Sequence, residues 1–268
     1  MSGIELRLAK IFGGKKNLVI SAIDHVLEYG DQPGIEDSRR AIEKCMGTDA
    51  LLLSRFSLLR NWDLFTDKDS PAPVVRINWS SAFYYPLNYR KGYTQIASGV
   101  EDAANAGAEA VICSLFLENG NEEMETDNVA LFSEVVRQKE KLGLPLIGEC
   151  YVVEHREITA ENLHLKVKRV SRVMAELGAD LVKVFYTNNF REVVDNTPVP
   201  VFSIGAEKLS NDLEVLAKAH DTVKAGARGI IFGRNIFMAE NPGLLIQALN
   251  AVLNEGVLPE EAVKILQR

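Results

Sequence analysis

The sequence predicts a single α/β domain, residues 1–268, folded as a TIM (β/α)8 barrel. Three observations predict it. Eight short apolar runs, rich in leucine or β-branched residues, alternate with longer amphipathic segments; such runs suit parallel strands buried on both faces. The length, 268 residues, is close to the ~250 typical of one such barrel. No Gly-x-Gly-x-x-Gly follows the first run, which leaves a doubly wound sheet as the runner-up.

In order, the expected strands are Leu18–Ile23, Ala50–Leu53, Val74–Ile77, Ala110–Leu117, Leu144–Tyr151, Leu181–Tyr186, Val199–Ile204 and Gly229–Phe232. Helical periodicity lies between them at Glu36–Cys45, Thr94–Asn105, Asn128–Leu142, Glu161–Leu177 and Asp212–Ala225. Gly47, Gly107, Gly178 and Gly226 each stand just before a strand, as Gly143 does before the fifth, where a left-handed helix C-cap is needed. The tail, Asn241–Arg268, reads as the last barrel helix plus a short helix starting near Pro259.

Lys and Arg total 30 against 37 Asp and Glu, a net charge of -7, which argues against a nucleic-acid partner. Small anionic substrates need only a local cationic cluster and stay open. Cys45, Cys113 and Cys150 are odd in number and without metal-ligand spacing, so buried structural thiols are expected, with no zinc site and no disulfide framework. No apolar run approaches the ~18 residues of a membrane helix, and Met1–Arg7 has no apolar h-region, so no signal peptide is expected. A soluble cytoplasmic protein without membrane contact is the expectation. His155, His164 and His220 show no ligand spacing, and solvent-facing positions are expected for the latter two.

In a barrel of this type chemistry sits where strands end. Lys183 interrupts the apolar run Leu181-Val182-Lys183-Val184-Phe185-Tyr186. An amine in apolar surroundings is nucleophilic once neutral and can form a Schiff base with a ketone. The alternative is a lysine paired with Asp24 or Glu149 for stability alone. Glu149 and Tyr151, two apart, should share a face and point with Lys183 at one carbonyl, Tyr151 as a proton shuttle or as a filler of the mouth. Asp24, closing the first strand before His25, is a substrate-hydroxyl partner or an N-cap. Ser203-Ile204-Gly205-Ala206-Glu207-Lys208 and Gly233-Arg234 end the last two strands, where barrels often seat a phosphate on backbone N–H groups. Arg55, ending the second strand, is a further candidate for that anion.

These residues carry a resemblance. Ala22-Ile23-Asp24-His25 with Gly34-Ile35-Glu36-Asp37, Gly143-Leu144-Pro145-Leu146-Ile147-Gly148-Glu149-Cys150-Tyr151, Glu176 to Lys183, and Ala225 to Phe237 together make the chain similar, over nearly all its length, to class I aldolases of the archaeal-type fructose-bisphosphate aldolase family. That group includes an aminodideoxyheptulosonate synthase and an autoinducer-processing thiolase. The resemblance implies Lys183 as Schiff-base lysine, Tyr151 as acid/base and Asp24 as hydroxyl or proton partner. It implies phosphate binding at Gly205, Ala206, Gly233 and Arg234, no metal or other cofactor, and a homo-oligomer, commonly a decamer. The chain departs from the pattern after Tyr151, where Val152-Val153-Glu154-His155 replaces Pro-Arg-Gly, and at Val26, Ile204, Ala206 and Asn78-Trp79-Ser80-Ser81. The expected activity is aldol cleavage or formation on a phosphorylated ketose, giving dihydroxyacetone phosphate and an aldehyde. The alternatives are a transaldol or acyl-transfer enzyme and a non-catalytic sugar-phosphate binder.

Overall fold

The computed structural model of the protein describes residues 2–30, 32–89 and 91–267, the side chains of 85 and 86 apart. Met1 and Arg268, the ends of the expected domain, lie outside the described residues. Eight parallel strands close a barrel: β1 (Leu18–Ala22), β2 (Ala50–Ser54), β3 (Ala72–Arg76), β6 (Ala110–Leu115), β7 (Leu146–Cys150), β8 (Leu181–Val184), β9 (Val201–Ile204) and β10 (Gly229–Phe232), which pairs back to β1. All eight runs anticipated from the sequence are strands. Their tails at 116–117, 151 and 185–186 lie past the ladder, in loops at the mouth.

The helices α3 (Ser38–Lys44), α6 (Glu122–Leu142), α7 (Ala160–Leu177), α8 (Phe190–Asn196), α9 (Asp212–Lys224) and α11 (Pro242–Asn250) belong to the outer layer. The tail carries the short helix expected near Pro259, α12 (Pro259–Ala262), and ends in a 3-10 turn, Val263–Gln267. All five glycines placed before strands have positive φ. The segment Thr94–Asn105 corrects the expectation of one helix. Its first part is a strand, β5 (Thr94–Ile96), paired antiparallel with β4 (Asn78–Ser80). Only Val100–Asn105 is helical, as α5. A helical period read from the sequence does not reveal that Thr94–Ile96 finds a partner strand 14 residues upstream.

The helix α1 (Gly3–Phe12) lies before the expected elements, although Ser2 and Glu5 form a capping box legible in the sequence. It places Ile11, with Leu8 and Phe12, against the inner residues Leu18, Ile20, Leu52, Val74 and Phe202. It therefore plugs the N-terminal end of the barrel and leaves the opposite end for a site. Strand alternation sorts side chains into two sets. Leu18, Ile20 and Ala22 face the interior, whereas Val19, Val75, Val182 and Val184 pack in the outer shell with the helices.

The seam between β1 and β10 fixes closure. Gly229 has φ +136, and a Cβ there would stand 2.7 Å from the Leu18 nitrogen and nearer still to its carbonyl oxygen. Gly229→Ala should cost at least ~3 kcal/mol, through backbone strain and loss of the seam. Chemical denaturation of wild type and variant checks this.

Candidate active site

The inner rows begin apolar at the plugged end and turn polar at the open end. On β3, Val74 is followed two residues later by Arg76; on β6, Ile112 by Ser114; on β7, Ile147 by Glu149; on β8, Leu181 by Lys183. Register sets Ser114 beside Glu149 and Glu149 beside Lys183. Lys183 Nζ lies 2.5 Å from Glu149 Oε1. The apolar neighbours of Lys183 along the strand, Val182 and Val184, face the helices. The amine therefore sits in a polar ring, which corrects the expectation of apolar surroundings.

At the centre is Arg76, 1% exposed. Its Nε donates to Asp24 Oδ2 (2.6 Å) and stands 3.0 Å from Glu28 Oε1. Nη2 donates to Glu149 Oε2 (2.7 Å), and Nη1 to Ser114 Oγ (2.7 Å). Ser114 Oγ in turn donates to Glu149 Oε2. Asp24 does not use its side chain as an N-cap for α2 (His25–Tyr29). Its second oxygen, Oδ1, is buried with no hydrogen-bond partner.

Charge is nearly balanced in this cluster. Two cations, Arg76 and Lys183, meet three carboxyl groups. Burial opposes ionisation of Asp24 and Glu149, but Arg76 and Lys183 outweigh it and hold both below the usual carboxylate range. Glu28 has the opposite fate. Burial pushes it up to about 8; Arg76 opposes the rise, and the charges of Asp24 and Glu149 add to it. Near neutral pH Glu28 is mostly protonated, leaving two cations against two carboxylates.

Above the ring, Lys183, Glu149, Glu28 and Tyr151 line a cavity of about 210 Å3. Tyr151 follows β7 directly and is enclosed by Phe83, Phe185 and His155, each 5.7 Å away between ring centroids. Tyr29 hydrogen-bonds Tyr151. Burial lowers His25 to about 4, so it is a neutral imidazole, stacked near Tyr29 and edge-on to Phe237. Gly233 makes room for it: a Cβ there would meet the imidazole and would stand 2.8 Å from the Ala22 carbonyl oxygen.

The expected anion residues Gly205, Ala206, Gly233 and Arg234 do gather at one edge of this cavity. The Gly205 N–H is already given to the Ile231 carbonyl (3.3 Å), and its own carbonyl accepts from Lys218 (3.0 Å). Burial brings that lysine down to about 8. Arg234, opening α10 (Arg234–Phe237), donates to the Ala206 carbonyl (2.8 Å) and to Glu207 Oε2 (2.6 Å).

Three expected site residues do not line this cavity: Asp24 stays in the buried ring beneath it, and two others are carried away from it. Ser203 alternates with the inward Phe202, so it faces α9 and bonds Thr222 Oγ1 (2.8 Å). Arg55, opening α4 (Arg55–Arg60), pairs with Asp102 on α5 (3.5 Å) and lies over Phe56, away from the cavity. His164 is also corrected: it is buried and bonded to Thr187 (3.0 Å), because α7 turns that position inward. The three cysteines are free and buried, with burial pushing Cys45 to about 11 and the other two to about 12. Among the described residues no helix is long and apolar enough to cross a membrane, and no group of three His, Cys, Asp or Glu side chains is placed to hold a metal ion.

Glu28 carries a testable signature. Its folded value lies above the unfolded one, so its stabilising protonation is fully present below about 4.5 and lost as pH rises through about 8. His25, lowered from 6.5 to about 4, acts in the opposite sense below 6.5. Between pH 6.5 and 8 the wild type should lose stability at up to ~1.4 kcal/mol per pH unit from Glu28. Glu28→Gln, neutral at every pH, should remove that slope in thermal unfolding across pH 5–9.

With this geometry in hand, comparison with known proteins is informative. Residues 18–239 match the model of the DeoC/LacD family aldolases. An uncharacterized aldolase of Saccharolobus solfataricus is 33% identical across the whole of both chains. A 2-amino-3,7-dideoxy-D-threo-hept-6-ulosonate synthase of Halobacterium salinarum is 30% identical over 98% of this chain and 96% of its own. Among solved structures, an archaeal fructose 1,6-bisphosphate aldolase superimposes with a TM-score of 0.79 at 23% identity, over 93% of this chain and 98% of that one. The buried lysine at a barrel mouth thus belongs to an aldolase: this chain is a member of the DeoC/LacD aldolase family.

Proposed function

We propose that the protein is a class I aldolase that cleaves or forms a C–C bond of a phosphorylated ketose through a Schiff base on Lys183. The observation that carries this reading is the Lys183 amine, level with Glu149 on the inner wall, beneath a cavity lined by Tyr151. Attack needs the amine without its proton, and Glu149, which accepts its hydrogen bond, holds the nitrogen in place on the inner wall. The nitrogen adds to the ketone carbon, the oxygen takes up a proton, and loss of water leaves the imine. Tyr151 or Asp24 removes the proton of the hydroxyl two carbons away. The C–C bond then breaks, its electrons pass to the imine nitrogen, and an aldehyde departs. Protonation of the enamine and hydrolysis release the ketone half, dihydroxyacetone phosphate for a fructose-bisphosphate-like substrate, and restore the amine. Asp24 Oδ1 suits the hydroxyl, since Arg76 fixes the other oxygen and leaves this one unpartnered. Arg234, with the N–H groups of Ala206 and Gly233, suits the phosphate.

A second reading takes support from the Halobacterium salinarum relative, named as a synthase: a transaldol or acyl-transfer enzyme on the same scaffold. Product analysis with and without an acceptor aldehyde or thiol separates the two.

Borohydride with dihydroxyacetone phosphate should add a stable mass to the peptide holding Lys183, and Lys183→Met should abolish both labelling and turnover. Labelling at Lys218 or Lys208 instead would overturn the assignment. Arg234→Ala should raise KM for a phosphorylated substrate roughly ten- to hundred-fold, the worth of a charge-assisted contact. KM for the unphosphorylated analogue should change far less, and equal effects would place the phosphate elsewhere.

A further inference from the structure

Two arginines at the cavity mouth converge on a carboxylate of the chain itself. Arg234 donates from Nη1 to Glu207 Oε2 (2.6 Å), and Arg156 Nη2 pairs with Glu207 Oε1. Each carboxylate oxygen is thus held by a different guanidinium, as an anionic ligand would be. Arg156, Glu207 and Arg234 all line the cavity that holds Lys183. The Arg234 Nε is buried with no hydrogen-bond partner, so this arginine keeps one donor that Glu207 does not satisfy.

We propose that Glu207 is a specificity-determining residue: a displaceable carboxylate that competes with the substrate's phosphate for the Arg156–Arg234 pair. The inference rests on the reading of this edge as the phosphate seat. Glu207 and Arg156 are about half exposed, at 50% and 49% of their side chains. Exposed pairs of this kind contribute little, so Glu207 leaves easily. The loop that carries it, 205–210, is neither helix nor strand, so the side chain swings without disturbing the barrel. A phosphate brings up to two charges and three terminal oxygens against one charge and two oxygens, and it can also accept from the orphan Nε. It therefore displaces Glu207, at an affinity below what two unengaged arginines would give. When the seat empties, Glu207 returns to it and opposes rebinding of the phosphorylated product.

The test uses the full-length protein and inorganic phosphate as the probe, with affinity read by calorimetry or phosphorus NMR in the absence of turnover. Glu207→Gln and Glu207→Ala should each bind phosphate roughly three- to ten-fold more tightly than wild type. The ratio of KM for a phosphorylated substrate to KM for its unphosphorylated analogue should fall by a similar factor. Unchanged or weaker phosphate binding in both variants overturns the proposal and makes Glu207 a residue that holds the arginines in place for the ligand. Arg234→Ala separates the two readings. If it weakens phosphate binding while the Glu207 variants do not strengthen it, only the role of Glu207 fails. If it leaves phosphate binding at the wild-type level, the phosphate seat itself is wrong and the proposal falls with it.

Discussion

The buried guanidinium of Arg76 is the constraint on which the site depends. A charge removed from water is costly unless it is paired and hydrogen-bonded. Arg76 meets that cost with Asp24 and Glu28 from the segment after β1, Glu149 from β7 and Ser114 from β6. In doing so it decides the ionisation of its partners. Asp24 and Glu149 stay charged because Arg76 and Lys183 face them, and Glu28 takes a proton because burial disfavours its charge and the charges of Asp24 and Glu149 add to that. The orientation of Glu149 follows, and with it the position of the Lys183 amine.

The rest of the barrel serves this cluster. Its interior is filled by aliphatic side chains and Phe202 at the end closed by α1, so polar groups are confined to one end. Over them lies an aromatic wall of Phe83, Phe116, Phe185 and Tyr151 that screens the cluster from solvent and strengthens its electrostatics. The cluster and the mouth differ in kind. Arg76 is fully enclosed, and its contacts are part of the fold. Arg234 and Arg156 are partly exposed, and their contact with Glu207 exchanges with solvent and ligand at small cost.

Much of this was legible in the chain. The eight apolar runs and the glycines before strands led to the barrel, and the interrupting lysine, Lys183, does lie on its inner wall at the open end. The same logic applied to Val74-Val75-Arg76 would have found Arg76, which breaks its strand as Lys183 breaks its own. Glu28 gave no such signal: a glutamate four residues past Asp24 reads as a helix surface, and only the fold turns it toward Arg76. Ser203 and Arg55 failed as site residues for a geometric reason. Proximity to a strand end does not say which face a side chain takes, and Ser203 lies one position out of phase with the interior.

By itself the sequence determined the eight barrel strands and their order, because local periodicity, helix caps and turn glycines act over a few residues. It also singled out Lys183, because an ammonium in an apolar run is conspicuous wherever it falls. Tertiary structure alone decided which charges meet. Arg76 reaches Glu149 across 73 residues and Arg234 reaches Glu207 across 27. Those pairings, and the ionisation states they impose, come from strand register and barrel closure, which no local pattern encodes.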